Sequence, residues 1–308
     1  MGPRISNFSE PETLLGRSTA IRKIKKQIQS AASYDYPVLI LGETGVGKTL
    51  VASIIHSESK RKGKPFLHQS CSNIPSELFE SDLFGHERGA FTGAMERKKG
   101  KIEIANKGTL FLDEIADLSL QSQAKLLHFL ESGRFFRVGG AEELSADIRL
   151  IVASNKNLVK EIGEKRFRKD LYYRICILEI HIPPLRERIE DIPFLIKEIL
   201  VKENNQNRNG KGISPETMTK LLNYAYPGNV RELENIIKRA LVNSKGKEIK
   251  AGDIVFGKQC LADKKEKEIT LKQIKSLLRK YRGNKSQAAR ELGISRTWLY
   301  KTLRKKKL

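Results

Sequence analysis

Cysteine is scarce in this sequence. Its 308 residues include three, Cys71, Cys176 and Cys260, far apart and outside any CxxC or Cys/His cluster with zinc-ligand spacing. That argues against a disulfide scaffold or a structural zinc site, and an odd, scattered set of thiols points to a cytoplasmic protein. Also lacking are a signal peptide and any apolar run long enough to span a bilayer, so no membrane role is expected. Acidic residues are in short supply: 36 Asp and Glu face 58 Lys and Arg, for a net charge of +22. Such an imbalance calls for a polyanionic partner or substrate. It is also uneven, because residues 264–308 carry 16 Lys/Arg against 3 Glu, a net of +13 and more than half of the excess. Charge alone leaves two readings of that segment, a solvated basic tail and a nucleic-acid footprint. Apolar residues make up 39% and aromatics 7%, enough for a real core, and the length suits one large domain plus a small one.

The first 13 residues are polar and read as an unstructured extension. From Leu14 onward strands and helices alternate. Val38–Leu41, Pro65–Cys71, Thr109–Leu112, Ile148–Ala153 and Ile177–Ile182 are short apolar runs, with amphipathic segments such as Gln123–Glu131 between several of them. That alternation predicts a parallel five-stranded sheet covered on both faces. Strand signals stop at Pro183–Pro184, and only helical ones follow: Ile192–Val201, then a helix started by Ser214-Pro215. Glu203–Gly212 reads as a polar loop, Pro227-Gly228-Asn229 as a turn between helices, and 244–268 as a charged linker. Leu271–Leu308 reads as a compact helical unit, and there is no internal repeat.

Gly42-Glu43-Thr44-Gly45-Val46-Gly47-Lys48-Thr49 fits GxxxxGK[ST], follows an apolar strand and opens the helix Thr49–His56. Glycines let backbone N–H groups converge on phosphate oxygens, and the helix N-terminus adds positive potential. Lys48 is expected on the β- and γ-phosphates of ATP, and Thr49 on Mg²⁺. A second apolar strand, Thr109–Leu112, ends in Asp113 and Glu114. Asp113 can hold Mg²⁺ through water and Glu114 can polarise the attacking water; alone, the pair would equally suit a helix N-terminus. Asn155, just past the strand Ile148–Ala153, is either a γ-phosphate contact or a strand-end turn residue.

Between these halves lies Gly89-Ala90-Phe91-Thr92-Gly93-Ala94. Small residues around one aromatic and one threonine build no core; they suit a flexible loop with Phe91 and Thr92 at its tip, or an ordinary surface turn. Near the far end, Asn284 to Leu303 reads as helix, tight turn, helix. Ala288, Ala289 and Leu292 face inward, Gly293 makes the turn, and Ser295 caps the second helix. Ser295, Arg296, Thr297, Trp298, Tyr300 and Lys301 are candidates for DNA contact in the major groove, with Trp298 equally placed to be core. Arg304–Lys307 would add phosphate contacts.

The segments GETGVGKT (42–49), ELFESDLFGHERGAFTGA (77–94), KGTLFLDE (107–114), FRVGG (136–140), FRKDLYYRI (167–175), PPLRER (183–188) and YPGNVRELEN (226–235) together resemble the sigma-54-dependent activators of the AAA+ class, from about Leu14 to Leu241 and again from about Ile269. The resemblance implies an α/β AAA+ P-loop ATPase over 14–186, a helical lid over 187–243, and a Fis-type helix-turn-helix over 269–308. It implies that residues 89–94 contact sigma-54 and move on ATP hydrolysis, supported by a loop around Arg137–Glu143. Arg168 and Arg174 fall where the family reaches the γ-phosphate of a neighbouring subunit, which implies a ring, hexameric in the family. Either arginine alone would pass for a surface ion pair. Arg231 falls at the nucleotide-sensing arginine of the lid; by itself it is a solvated helix charge. Two departures stand out. Ser70 replaces the Asn that couples the catalytic glutamate to the loop, offering a shorter side chain with one donor, and Asn73 lies on the wrong side of Cys71 to substitute. Lys107 replaces a glycine. Family members commonly begin with a receiver or sensor domain; 13 residues precede the motor here, which fits a chain unregulated in cis, one controlled by a separate partner protein, or a piece of a longer protein.

The leading expectation is therefore an ATPase motor that acts on the sigma-54 RNA polymerase holoenzyme from an upstream site on double-stranded DNA. A DNA-binding regulator whose nucleotide domain controls assembly without hydrolysis is the alternative that Ser70 keeps open. An ATPase that loads replication or repair factors leaves residues 89–94 unexplained.

Overall fold

The computed structural model describes residues 14–72, 75–207, 210–257, 276, 278, 280–281 and 285–292. Two compact units are present: residues 1–202 with 228–234, and residues 203–227 with 235–308.

In the first unit the five apolar runs form strands β1 (Val38–Leu41), β2 (Phe66–Ser70), β3 (Thr109–Asp113), β4 (Arg149–Ser154) and β5 (Leu178–His181). All are parallel, in the order β2-β3-β4-β1-β5. Alternate residues of each strand point to opposite faces. Leu39, Leu110, Leu112, Leu150 and Val152 join one core, and Val38, Ile40, Phe111, Ile151 and Ala153 join the other. Every position of β4 is buried, as expected for a central parallel strand that alternates no polar face.

Helix α1 (Thr19–Ala32) covers the second core with Ile21, Ile24, Ile28 and Ala31, spaced three and four apart. Its N-cap is Ser18, whose hydroxyl accepts from the Ile21 amide at 3.2 Å. Helix α2 (Lys48–Ser57) continues the P-loop, and α3 is Ser76–Phe84. Helix α4 (Leu120–Ser132) is capped by Ser119 and closed by Gly133 at φ 70°, which takes the left-handed C-terminal position at no steric cost. Short helices α5 (Leu158–Gly163) and α6 (Lys169–Ile175) follow, then α7 (Ile192–Asn207).

Helix α7 runs further than the sequence suggests. Residues 203–207 belong to it although they read as the start of a polar loop. No glycine or proline interrupts the polar run before Gly210, and part-buried Asn204 is held through its side chain by the Lys211 backbone. In the second unit, α8 (Pro215–Leu222) begins with Ser214 as cap and Pro215 in its first turn, and α9 (Asn229–Asn243) follows the Pro227-Gly228 turn. Strand pairing does recur after Pro184: Gly212–Ile213 pairs in parallel with Glu248–Ile249. Two-residue strands are too short to leave a period in sequence. The described portion of the expected linker, residues 244–257, is packed, with Ile249 and Ile254 buried and Phe256 stacked on Tyr224 at 3.9 Å between ring centroids. The Lys211 ammonium closes the end of α9 through the carbonyls of Leu241 and Ser244, at 3.0 and 2.6 Å. Helix α10 (Lys285–Leu292) is the first helix of the expected helix-turn-helix, with Ala288 buried. Ser295, Arg296, Thr297, Trp298, Tyr300 and Lys301 lie outside the described residues, as do residues 1–13, Asn73 and Cys260. No helix among the described residues is long and apolar enough to cross a membrane.

Candidate nucleotide site and its exposed finger

Register brings the site together. Leu41 aligns with Ser154 across β1 and β4, and Ser70 with Asp113 across β2 and β3. The P-loop, the acid pair and Asn155 therefore leave the same edge of the sheet. With β4 between β1 and β3, Asn155 emerges between the P-loop and Glu114. Its side-chain amide donates to the Thr44 hydroxyl at 3.2 Å, and its backbone N–H meets Glu114 Oε2 at 3.4 Å.

Residues 42–47 curl between β1 and α2. Gly45 and Gly47 have φ of 81° and 107°, a region that L side chains rarely enter. A Cβ on Gly45 would sit 2.3 Å from the Gly228 carbonyl oxygen, and one on Gly42 2.8 Å from that of Ile182. Neither backbone can yield, so the glycines are required by packing as well as by phosphate approach. Buried Lys48 donates to the carbonyls of Gly42 and Glu43, at 3.0 and 3.3 Å, inside the curl of the loop. Its ammonium also lies 3.9 Å from Glu114 Oε1. Thr49 is in the first turn of α2.

Asp113 ends β3 and accepts the Glu114 amide at 3.0 Å. Glu114 has φ 57° and ψ 48°, a strained conformation for a non-glycine residue of the kind that gathers at functional sites. Burial pushes the Glu114 carboxyl above the ordinary glutamate range; the Lys48 charge opposes this, and Asp113 adds to it. A carboxylate partly freed from water beside an ammonium is suited to orienting a water molecule. The Ser70 hydroxyl pairs with that of Ser72 at 3.0 Å rather than with Glu114.

The strand-and-turn reading of the P-loop did not expose what lies behind it. Arg186 and Asn229 hold the Glu43 carboxylate, and Arg188, 2% exposed, donates to the Val46 carbonyl at 3.1 Å. Asp191, fully buried, accepts the Arg17 and Ser18 amides and the Ser18 hydroxyl at 2.6–2.8 Å. Arg186, Arg188 and Asn229 sit in PPLRER and YPGNVRELEN, whose polar density was the only sequence signal, and Asp191 lies three residues past the first. Arg231 is exposed in the first turn of α9, and its backbone N–H meets the Gly45 carbonyl at 3.3 Å.

Residues 85–99 form a finger. Its base is the antiparallel pair Gly85–His86 with Lys98–Lys99. Gly89 donates to the Ala94 carbonyl at 2.8 Å and Ala94 to that of Phe91 at 3.0 Å, while Gly89 and Gly93 turn the chain at φ 82° and 104°. Thr92 is exposed at the tip, Ala90 and Phe91 are half-buried, and Ala94 is buried. The Phe91 ring meets the His86 ring edge-on at 5.1 Å. The neighbouring loop grips the finger's base: Val138 donates to Gly85 at 2.9 Å, and Glu87 to Val138 at 3.1 Å. Buried Arg137 bonds Glu103 at 2.7 and 3.2 Å and Glu87 at 2.9 Å.

Arg168 and Arg174 lie elsewhere. Arg168 precedes α6 and Arg174 lies in its last turn; Arg168 forms a two-pronged pair with Asp170 at 3.0 and 2.6 Å, and Arg174 donates to the Leu130 carbonyl at 2.7 Å. Arg168, Lys169, Asp170 and Tyr173 line an open depression.

A P-loop strand inside a 2-3-4-1-5 parallel sheet, with an acid pair two strands away and a polar residue on the strand between, defines a P-loop nucleotide-binding domain of AAA+ type. The comparisons agree. The sigma-54 interaction domain matches residues 14–181, a AAA+ ATPase lid domain 186–272, and the Fis-family bacterial regulatory protein domain 269–305. The chain therefore belongs to the sigma-54-dependent transcriptional activators, with a Fis-type DNA-binding helix-turn-helix. It is similar to the formate hydrogenlyase transcriptional activator FhlA of Escherichia coli, 41% identical over 312 residues, covering 97% of this chain and 44% of that one. The response regulator PilR of Pseudomonas aeruginosa is 41% identical over 297 residues, covering 92% of this chain and 67% of the relative. The chain thus spans under half of the first relative's length and about two thirds of the second's. NtrX of Brucella abortus, solved with ADP and with ATP, superposes with TM-scores of 0.74 and 0.72 at 30% identity, covering 96% of this chain and 69% and 70% of that one.

Proposed function

We propose that this chain hydrolyses ATP and uses the energy to drive residues 89–94 against sigma-54 RNA polymerase at a promoter, while residues 295–301 hold it on upstream DNA. One observation carries the reading: a threonine-tipped finger lies in the same compact unit as a P-loop whose lysine faces Glu114 at 3.9 Å. Residues 14–186 are the motor, 187–243 the lid, 244–268 the connection and 269–308 the DNA-binding part.

The curl of residues 42–47 offers its amides to phosphate oxygens, and Lys48 neutralises the β- and γ-phosphates. Thr49 and Asp113 fit Mg²⁺, a hard cation that takes one or two protein oxygens and otherwise water and phosphate. That agrees with the lack of any cluster of three metal-binding side chains among the described residues. When bound, the ion neutralises phosphate charge. Glu114 accepts a proton from the attacking water, and Asn155 fixes that carboxylate and the P-loop threonine. Arg168 and Arg174 face outward, and we assign them to the γ-phosphate of a neighbouring subunit, so that hydrolysis requires a ring, hexameric as in the family, assembled in the cytoplasm.

Transcription in vitro with sigma-54 holoenzyme tests this reading. ATP should be required for open-complex formation. Thr92→Ala should hydrolyse ATP normally yet fail to activate. Normal activation by that variant would refute the finger's role, and ATP-independent activation would refute the motor.

A further inference from the structure

The P-loop is usually described from the side that faces phosphate. Here its other side is equally structured. The Glu43 carboxylate receives both prongs of the Arg186 guanidinium, Nη1 to Oε2 at 2.8 Å and Nη2 to Oε1 at 2.6 Å. Oε2 also accepts the Asn229 side-chain amide at 3.1 Å, and the same amide donates to the Thr44 carbonyl at 3.1 Å. The Asn229 side-chain oxygen accepts the Leu185 amide at 2.8 Å. Asn229 is fully buried and uses both ends of its side chain. Its backbone sits at φ 55°, a conformation that asparagine tolerates better than most residues.

We infer that Asn229 and Arg186 are positioning residues for ATP, forming a latch that holds the outer half of the P-loop in phosphate-accepting shape through Glu43 and Thr44. This deepens the proposed ATPase reading and rests on it. Gly45 and Val46 are tied by the Arg231 amide and the Arg188 guanidinium, but residues 43–44 have little else to fix them. The loop's glycines have no side chains to pack, and Lys48, which crosses the curl to the carbonyls of Gly42 and Glu43, must give up those bonds to reach phosphate. Once it does, residues 43–44 retain the latch, together with the Asn155 contact to Thr44. Planar guanidinium matches carboxylate with two parallel bonds, so the pair fixes direction as well as distance. Arg186 holds the Glu43 carboxyl below the ordinary glutamate range against burial, with Asn229 helping, so the acceptor stays charged at neutral pH.

Asn229→Asp is the sharp perturbation. It keeps size and turn preference but replaces the donating amide with an acceptor facing both the Glu43 carboxylate and the Thr44 carbonyl. Loss of charge-assisted bonds plus new repulsion should weaken ATP binding about 10- to 100-fold. The KM for ATP should rise more than kcat falls, and thermal unfolding should stay cooperative. Combining it with Glu43→Gln restores a donor–acceptor pair with the roles exchanged, and should recover a measurable share of the affinity. Arg186→Met provides a second variant that leaves buried Asn229 intact and should weaken binding about 3- to 10-fold, since both partners are partly exposed. Binding is read directly with a fluorescent ATP analogue on the full chain. Wild-type affinity in both Asn229→Asp and Arg186→Met, or no recovery in the Asn229→Asp, Glu43→Gln double variant, would overturn the latch. A wild-type chain that binds ATP without hydrolysing it would instead overturn the motor reading, and the binding arm would still decide the latch.

Discussion

Arg137 offers the most quantitative test of how the finger is held. Its side chain is 3% exposed and reaches Glu103 at 2.7 Å and Glu87 at 2.9 Å, whose own side chains are 21% and 31% exposed. Substituting alanine leaves Glu103 with Lys99 and Glu87 with Arg97, at 3.3 and 3.5 Å, and removes the guanidinium that bridges the two acids next to Val138, the residue that pairs with the finger's base. Removing one partner of a buried pair costs about 3–5 kcal/mol. Because both acids retain some water, the lower end applies, about 3 kcal/mol. For a unit of this size each kcal/mol lowers Tm by roughly 2–4 °C, so Arg137→Ala should lose about 6–12 °C by calorimetry. The loss should depend on pH. Burial raises the Glu103 carboxyl, but the bonds from Arg137 and Lys99 outweigh it, and the net shift is downward. A depressed carboxylate stabilises the fold above its unfolded pKa and stops doing so as pH falls through its folded pKa. The wild-type advantage over Arg137→Ala should therefore be complete at neutral pH and shrink on acidification below about 4.5. Equal melting temperatures at pH 7, or a gap that does not shrink as pH falls below about 4.5, would refute the account.

Glu114→Gln should bind ATP like the wild type while turnover in a phosphate-release assay falls to background. Because burial disfavours its ionised form, Glu114 in the nucleotide-free protein should titrate above the ordinary glutamate range by NMR, and a titration below that range would contradict the reading. Asp191→Ala should strand the Arg17 and Ser18 amides and the Ser18 hydroxyl, and leave the buried Arg188 guanidinium without its nearby counter-charge. A loss of about 3–5 kcal/mol in urea unfolding is expected, and a loss under 1 kcal/mol would show that water replaces the carboxylate.

Some of this protein was decided by local sequence. Apolar runs of four to seven residues became the five strands, Gly-rich spacing became the P-loop, and Ser18, Ser119 and Ser214 capped helices, because each needs only neighbours a few residues away. Patterns of that kind say which face is buried but not against what. The order of strands, which inserts β4 between β1 and β3 and so delivers Asn155 to Glu114, came only from packing. So did the left-handed turn at Glu114 and the helical extension to Asn207, where a polar run carries no apolar period. The Glu43 contacts to Arg186 and Asn229 join residues 143 and 186 positions apart, and no periodicity reports on such pairs. Sequence could place the groups that meet phosphate, since they lie within one loop. The groups that brace that loop from behind come from distant segments, and only the folding of the whole unit brings them within hydrogen-bonding reach.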